Sequence, residues 1–136
     1  MTTGPLRVAV AGAGIIAGVH LANLATLEGV ELCGLADLDV DRARALAPLG
    51  VPVHPRAEAL LDDAPDALVV CLPPAARADL IERAAAAGVH VFVEKPAALT
   101  LEAARRTLGA VEAAGIEACA SDASDRPRWR PPVSST

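Results

Sequence analysis

Arg7-Val8-Ala9-Val10-Ala11-Gly12-Ala13-Gly14-Ile15-Ile16-Ala17 is the stretch that decides the fold. Its first half is a short apolar run with the make-up of a buried strand. Its second half is a glycine turn running into an Ala-rich segment of helical period. In a strand–turn–helix of this kind the first glycine allows a tight turn, the second takes a side chain out of the path of a pyrophosphate, and a third small residue lets helix and sheet pack closely. Gly12, Gly14 and Ala17 stand at those places. The helix that opens at Ile15 and Ile16 then points its N-terminal N–H groups at phosphate. A glycine pattern alone also fits a plain tight turn; the strand before it and the helix after it favour a dinucleotide.

Downstream, short Val/Leu/Ile runs alternate with longer Ala-rich segments, the βαβα pattern of a parallel sheet covered on both faces. Strands are expected near 6–11, 30–36, 52–54, 67–72, 89–93 and 116–120, with helices near 14–27, 40–47, 56–63, 76–87 and 100–114. Gly88 and Gly115 each follow an Ala-rich helix, where a left-handed cap favours glycine, and Thr100 is placed to cap the last helix. Pro73-Pro74 removes two ladder donors and ends the fourth strand. The fold class is therefore α/β, a doubly wound parallel sheet of Rossmann order 3-2-1-4-5-6 whose crevice lies at the carboxyl ends of strands one and four. One domain over residues 1–120 is expected. Residues 121–136, rich in Pro, Ser and Arg and without period, are expected to form a disordered tail.

Composition narrows the function. The 136 residues are 53% apolar, mostly Ala, Val and Leu, with Phe92 and Trp129 the only aromatics, so the core must pack small aliphatic side chains between close layers. A formal charge of -5 and no basic stretch interleaved with aromatics argue against nucleic acid. Residues 1–20 lack a signal-peptide pattern and no apolar run approaches membrane-span length, so a cytoplasmic protein is expected. Cys33, Cys71 and Cys119 sit in apolar, strand-like contexts that suit buried reduced thiols. No metal site is expected. His20, His54 and His90 have neither triad nor metal spacing and read as structural or solvated.

Two further positions carry chemistry. Asp37 ends the second strand about 20 residues past the glycine turn, where an acidic side chain accepts hydrogen bonds from an adenosine ribose diol. That favours NAD over NADP, although Arg42 or Arg44 lies within reach of a 2′-phosphate; the alternative is a solvated turn aspartate. Glu94-Lys95-Pro96 follows the apolar run Val89-His90-Val91-Phe92-Val93 and places an amine on the crevice side; the alternative is an exposed loop cation.

Glycine turn and Glu-Lys-Pro together resemble the N-terminal domain of the Gfo/Idh/MocA oxidoreductases. The resemblance runs from about Arg7 to Ala120 and takes in the Asp66-Ala67-Leu68-Val69-Val70 strand, the Pro73 loop and the Thr100-Leu101-Glu102-Ala103-Ala104 helix start. It implies NAD-linked hydride transfer at a sugar or polyol hydroxyl. It also implies cofactor contacts from Gly12, Gly14, Ile15, Ile16, Asp37, Leu72, Pro73, Glu94 and Lys95, with Lys95 supporting catalysis by polarising the reacting oxygen. The loop departs from the family's Pro-Asn-x-x-His: it reads Pro73-Pro74-Ala75-Ala76-Arg77, and Arg77 is expected to face water at its helix start. The family's second α/β domain, which carries the substrate pocket and its acid–base residues, is missing from these residues. Isolated, the chain is expected to be inactive. The alternatives are a non-catalytic dinucleotide-binding module, homodimeric or completed by a separate partner chain, and a truncated or frameshifted product.

Overall fold

The computed structural model describes residues 4–94, 101–116 and 118–121. In chain order these form β1 (Leu6–Ala11), α1 (Ile15–Leu24), β2 (Val30–Ala36), α2 (Val40–Leu46), β3 (Val53–His54), β4 (Ala67–Val70), α3 (Ala78–Ala86), β5 (His90–Glu94), α4 (Leu101–Ala114) and β6 (Ala118–Ser121), with 3-10 segments at Ala57–Asp63 and Pro74–Ala76. The sheet order is β3-β2-β1-β4-β5-β6, and every pairing is parallel. Turning outward from β1 in both directions places a topological switch between β1 and β4, which opens a crevice at their carboxyl ends.

Strand alternation sorts the core into two layers. Val8 and Val10 of β1 face α1 and α2, packing with Ala17, Leu35, Ala43 and Val69. Ala9 and Ala11 face the opposite layer, where Leu60, Leu80, Ile81 and Val111 cover Leu68, Val70 and Val91. Alanine on the sheet lets bulky residues of the covering segments come close. Phe92 fills the edge of the first layer and meets His20 edge-on, ring centroids 5.4 Å apart. This gives His20 a packing role.

The boundaries follow local chemistry. α3 ends in a Schellman motif: Gly88, at φ +73°, donates to Ala85 O at 3.0 Å, and Val89 donates to Ala84 O at 2.9 Å. Val89 is thereby committed to the cap, so β5 starts at His90 rather than at 89. β4 stops at Val70, two residues short of the expected 72. Cys71 still donates to Ala11 O at 2.7 Å, but beyond it the chain turns into the 3-10 segment at Pro74–Ala76.

The expected helix over 56–63 is instead a 3-10 segment. It lies so close on β2 that a Cβ on Gly34 would stand 2.6 Å from Asp63 Oδ2 and 2.9 Å from Leu60 Cδ2. Its end is clamped by Arg7, whose Nη2 donates to Asp63 O at 2.7 Å while its backbone N donates to Asp66 Oδ2 at 2.9 Å. Bracketed by Pro55 and Pro65, so short a stretch reaches its seat with Leu60 wholly buried by winding tightly. The same segment holds His54, whose Nε2 lies 2.8 Å from Asp63 Oδ2. That histidine serves the fold.

Candidate functional site at the carboxyl ends of β1, β2 and β4

Three strand ends are stitched together around the glycine turn. Gly12 N donates to Ala36 O at 2.7 Å, tying the turn to β2, and Cys71 N donates to Ala11 O at 2.7 Å, tying β4 to β1. Gly12 has φ +103°, a conformation L side chains rarely adopt, and a Cβ there would stand 2.7 Å from the Cys71 carbonyl oxygen. The fold itself requires this glycine.

Gly14 is different. It caps α1 with φ -79° and ψ -168°, ordinary extended backbone, and a Cβ built on it meets nothing within 4 Å. Among the described residues nothing explains a glycine here. Among the described residues no side chain caps the helix and its first turn holds no acidic residue, so its first N–H groups have no side-chain acceptor there. Ile15 is 90% exposed and Ile16 is also exposed, an apolar rim beside that opening. A missing side chain over such N–H donors is the cradle a pyrophosphate needs.

Asp37 lies next to the turn. Its Oδ2 accepts from Ala13 N at 2.8 Å, and its Oδ1 accepts from Asp39 N at 2.8 Å. Arg42 Nη2 donates to both oxygens, at 3.0 Å and 3.2 Å. Burial by itself pushes the Asp37 carboxyl up, but the Asp39 and Ala13 backbone donors and the Arg42 guanidinium outweigh it and hold the group below its ordinary value. The contribution of these bonds to stability is therefore present above the unfolded-state value, about 3.9, and is lost as pH falls through the lower folded value. Asp37→Asn should cost about 1–3 kcal/mol at pH 7. Urea unfolding of the two proteins should begin to converge as pH drops below about 4, where unfolded Asp37 takes up its proton, and should meet below the lower folded value, where the folded carboxyl is protonated as well.

Gly12, Gly14 and Asp37 thus come together, and the turn at Ala13 joins them. Leu72 and Pro73 follow β4 at the crevice, and Glu94 closes β5 opposite Ser121. Lys95, Pro96 and Thr100 lie outside the described residues; of the tail expected over 121–136, Ser121 instead ends β6, where it pairs with Glu94 of β5, and 122–136 lie outside the described residues. The expectation of a solvated Arg77 is overturned: the residue is 4% exposed, and its Nε donates to Leu72 O at 2.6 Å. The turn at Pro74–Ala76 folds the loop back over the helix start and brings that carbonyl within reach, so the guanidinium faces inward. Cys33 is buried, and burial pushes its thiol up, with Arg7 opposing. Cys71, expected to be buried, is only half-buried, because it sits where β4 opens to the crevice. Cys119's side chain is outside the description. Among the described residues no group of three potential ligands is placed to hold a metal ion, and no helix is long and apolar enough to cross a membrane.

Sequence reasoning missed the Ala13–Asp37 bond and the closing of Arg42 on Asp37. One signal was available. Asp39, as N-cap of α2 accepting from Arg42 N at 3.1 Å, fixes Arg42 in the first turn, next to the carboxylate that ends β2.

Comparison with known proteins agrees with this geometry. The family model described as "Oxidoreductase family, NAD-binding Rossmann fold" matches residues 6–119. D-glucoside 3-dehydrogenase of Escherichia coli K12 is 40% identical over 110 residues, 77% of this chain and 31% of that protein. The solved structure of GenD2 from gentamicin A biosynthesis, in complex with NAD, superposes with TM-score 0.79 at 33% identity, over 88% of this chain and 35% of that one. Scyllo-inositol dehydrogenase from Lactobacillus casei, with bound NAD(H) and scyllo-inositol, gives TM-score 0.79 at 25% identity, over 85% of this chain and 36% of that one. The chain therefore spans about a third of the length of the proteins it matches. With the glycine turn, the switch-point crevice and the sheet order all in place, the chain belongs to the Gfo/Idh/MocA oxidoreductase family and is an NAD-binding Rossmann domain of that family.

Proposed function

We propose that this domain is the cofactor half of a dehydrogenase that oxidises a secondary hydroxyl of a sugar or polyol. The observation that carries this reading is Gly14, a glycine with ordinary dihedrals and nothing within 4 Å of its absent Cβ, at an uncapped helix N-terminus beside an anchored carboxylate. NAD, when bound, supplies a hydride acceptor at the nicotinamide. Gly12 and Gly14 admit the pyrophosphate against the first turn of α1, and Ile15 and Ile16 line its approach. Asp37 accepts the adenosine ribose hydroxyls. Leu72 and Pro73 border the nicotinamide end, where Glu94 and Lys95 follow β5, and the Lys95 ammonium polarises the reacting oxygen. The substrate class is drawn from the relatives: an E. coli D-glucoside dehydrogenase and an inositol dehydrogenase with its polyol bound. The place of work is the cytoplasm. Turnover requires a substrate domain over the crevice, from further sequence of the same polypeptide or from a separate partner chain.

Titrating the purified chain with NADH tests this, following nicotinamide fluorescence and thermal unfolding together. Saturable binding should raise stability by about 2.7 kcal/mol at a hundred times Kd. The isolated chain should show no measurable oxidation of inositols or glucosides. A folded protein whose unfolding temperature ignores NADH would overturn the proposal, and turnover by the chain alone would overturn the need for a second domain.

A further inference from the structure

The two covering layers are unequal. On the side of Val8 and Val10, α1 and α2 lie over β1, β2 and β3, whereas α3 and α4 both seat their apolar residues on the opposite face, with Val91 and Val93. Among the described residues, then, no helix stands over the α1 side of β5. Phe92 is only half-buried there, reached by the edge of His20. α1 is built for a neighbour on this flank. Ala17, Leu21 and Leu24 pack onto the sheet, while Ile16, Val19, His20 and Asn23 recur at helical period on the flank toward β5. Ile16 is 42% and Val19 52% exposed, and no charged residue occurs between Arg7 and Glu28. An uncharged helix with apolar side chains on two faces is the kind that is covered on both.

The chain carries its own candidate for the cover. Residues 122–136 follow β6, whose last residue, Ser121, pairs with Glu94, so they leave the sheet one strand away from Phe92. As a whole they have no period, but the stretch Arg126-Pro127-Arg128-Trp129-Arg130-Pro131-Pro132-Val133 alternates. In an extended chain Pro127, Trp129, Pro131 and Val133 fall on one side, and Arg126, Arg128 and Arg130 on the other. Pro127, Pro131 and Pro132 have no N–H to donate, which excludes a regular further strand on the β6 edge and leaves contact through side chains. Reach is ample: the chain from Ser121 to Trp129 extends up to about 26 Å, and Phe92, one strand over and two residues back from Glu94, is roughly 8 Å away by sheet spacings. We propose that residues 126–133 lie across this face, with Trp129 seated on Phe92 and against Val19 of α1. Trp129 gains ring contacts with Phe92 and His20 there. The arginines turn to water over a patch that is itself uncharged, on a chain whose net charge is -5. The proposal orders a part of the tail that composition alone reads as disordered, and it stands independently of the dinucleotide reading.

The test uses the intact chain, in which Trp129 is the only tryptophan and tyrosine is absent, so emission reports this segment alone. Native protein should emit to the blue of the same protein in urea, and acrylamide should quench it several-fold more slowly. Val19→Lys places a charge on the patch at an exposed position that neither the core nor the cofactor reading uses. It should return emission and quenching to those of the unfolded chain while circular dichroism stays native. Trp129→Ala, which leaves every described residue in place, should lower the thermal midpoint by about 4 °C. Native emission equal to that in urea would overturn the proposal. So would a blue shift that a folded Val19→Lys leaves untouched, or one that grows with protein concentration and so marks a second copy as the occupant. A Trp129→Ala chain as stable as wild type would overturn it as well, and that comparison decides the matter if Val19→Lys loses its native circular dichroism.

Discussion

Gly12→Ala is expected to destabilise the domain by about 2–5 kcal/mol, combining backbone strain at positive φ with overpacking. The strain comes from φ +103°, and the overpacking from a Cβ placed 2.7 Å from the Cys71 carbonyl oxygen and 3.0 Å from its carbon. Both obstacles are backbone, so neither can rotate away. Moving them would separate the glycine turn from β4 and disturb the bond from Cys71 N to Ala11 O. Thermal unfolding should fall by roughly 10–20 °C for a domain of this size. Gly14→Ala is the informative partner. With ordinary dihedrals and open space around its Cβ, it should change stability by less than about 1 kcal/mol, the difference between glycine and alanine at an N-cap. Its NADH affinity should nonetheless fall roughly ten- to a hundredfold, as the new methyl pushes the pyrophosphate off the N–H donors. Calorimetry and titration on the two variants separate a glycine the fold needs from one the ligand needs. A stable Gly12→Ala, or a Gly14→Ala that binds NADH like wild type, would refute that division.

Arg77→Ala should cost about 2–4 kcal/mol, because it deletes a buried alkyl stem together with a charged donor. The residue is 4% exposed, and its Nε holds the Leu72 carbonyl at 2.6 Å, where the chain leaves β4 for the loop beside the crevice. Arg77→Met restores the packing without the donor. It should recover part of the stability yet leave faster hydrogen exchange at Leu72 and the turn that follows, since the carbonyl stays unpaired. If alanine leaves unfolding in urea unchanged, the arginine is not holding the loop. Unlike the exposed Arg106, which ties α4 to α3 by pairing with Glu82 and Asp79, Arg77 acts where water is excluded, so each lost contact counts for more.

Much of the architecture was legible along the chain because its determinants are local. Val8 and Val10 alternate with Ala9 and Ala11, which requires a strand buried on both faces. Gly88 and Gly115 take positive φ just after their helices, as expected of left-handed caps. What sequence reasoning misplaced depended on distant partners. The segment at Ala57–Asp63 has helical spacing, and only its seat on Gly34 and its clamp by Arg7 wind it into a 3-10 form. Arg77 looked like a solvated helix start because nothing near it in sequence announces that the Leu72 carbonyl would need a donor.

The candidate site divides the same way. Its residue types were readable: a glycine turn for phosphate, an acidic end to β2, and the order of elements that brings both to a switch point. That information is local because dihedral freedom, side-chain period and helix capping act over a few residues. Which glycine serves the fold and which the ligand, the complete occupation of Asp37 by Ala13, Asp39 and Arg42, and the inward turn of Arg77 were decided only by the tertiary structure. Each depends on a distance between groups, such as Gly12 and Cys71 or Ala13 and Asp37, that sequence spacing leaves open and that packing of the sheet alone sets.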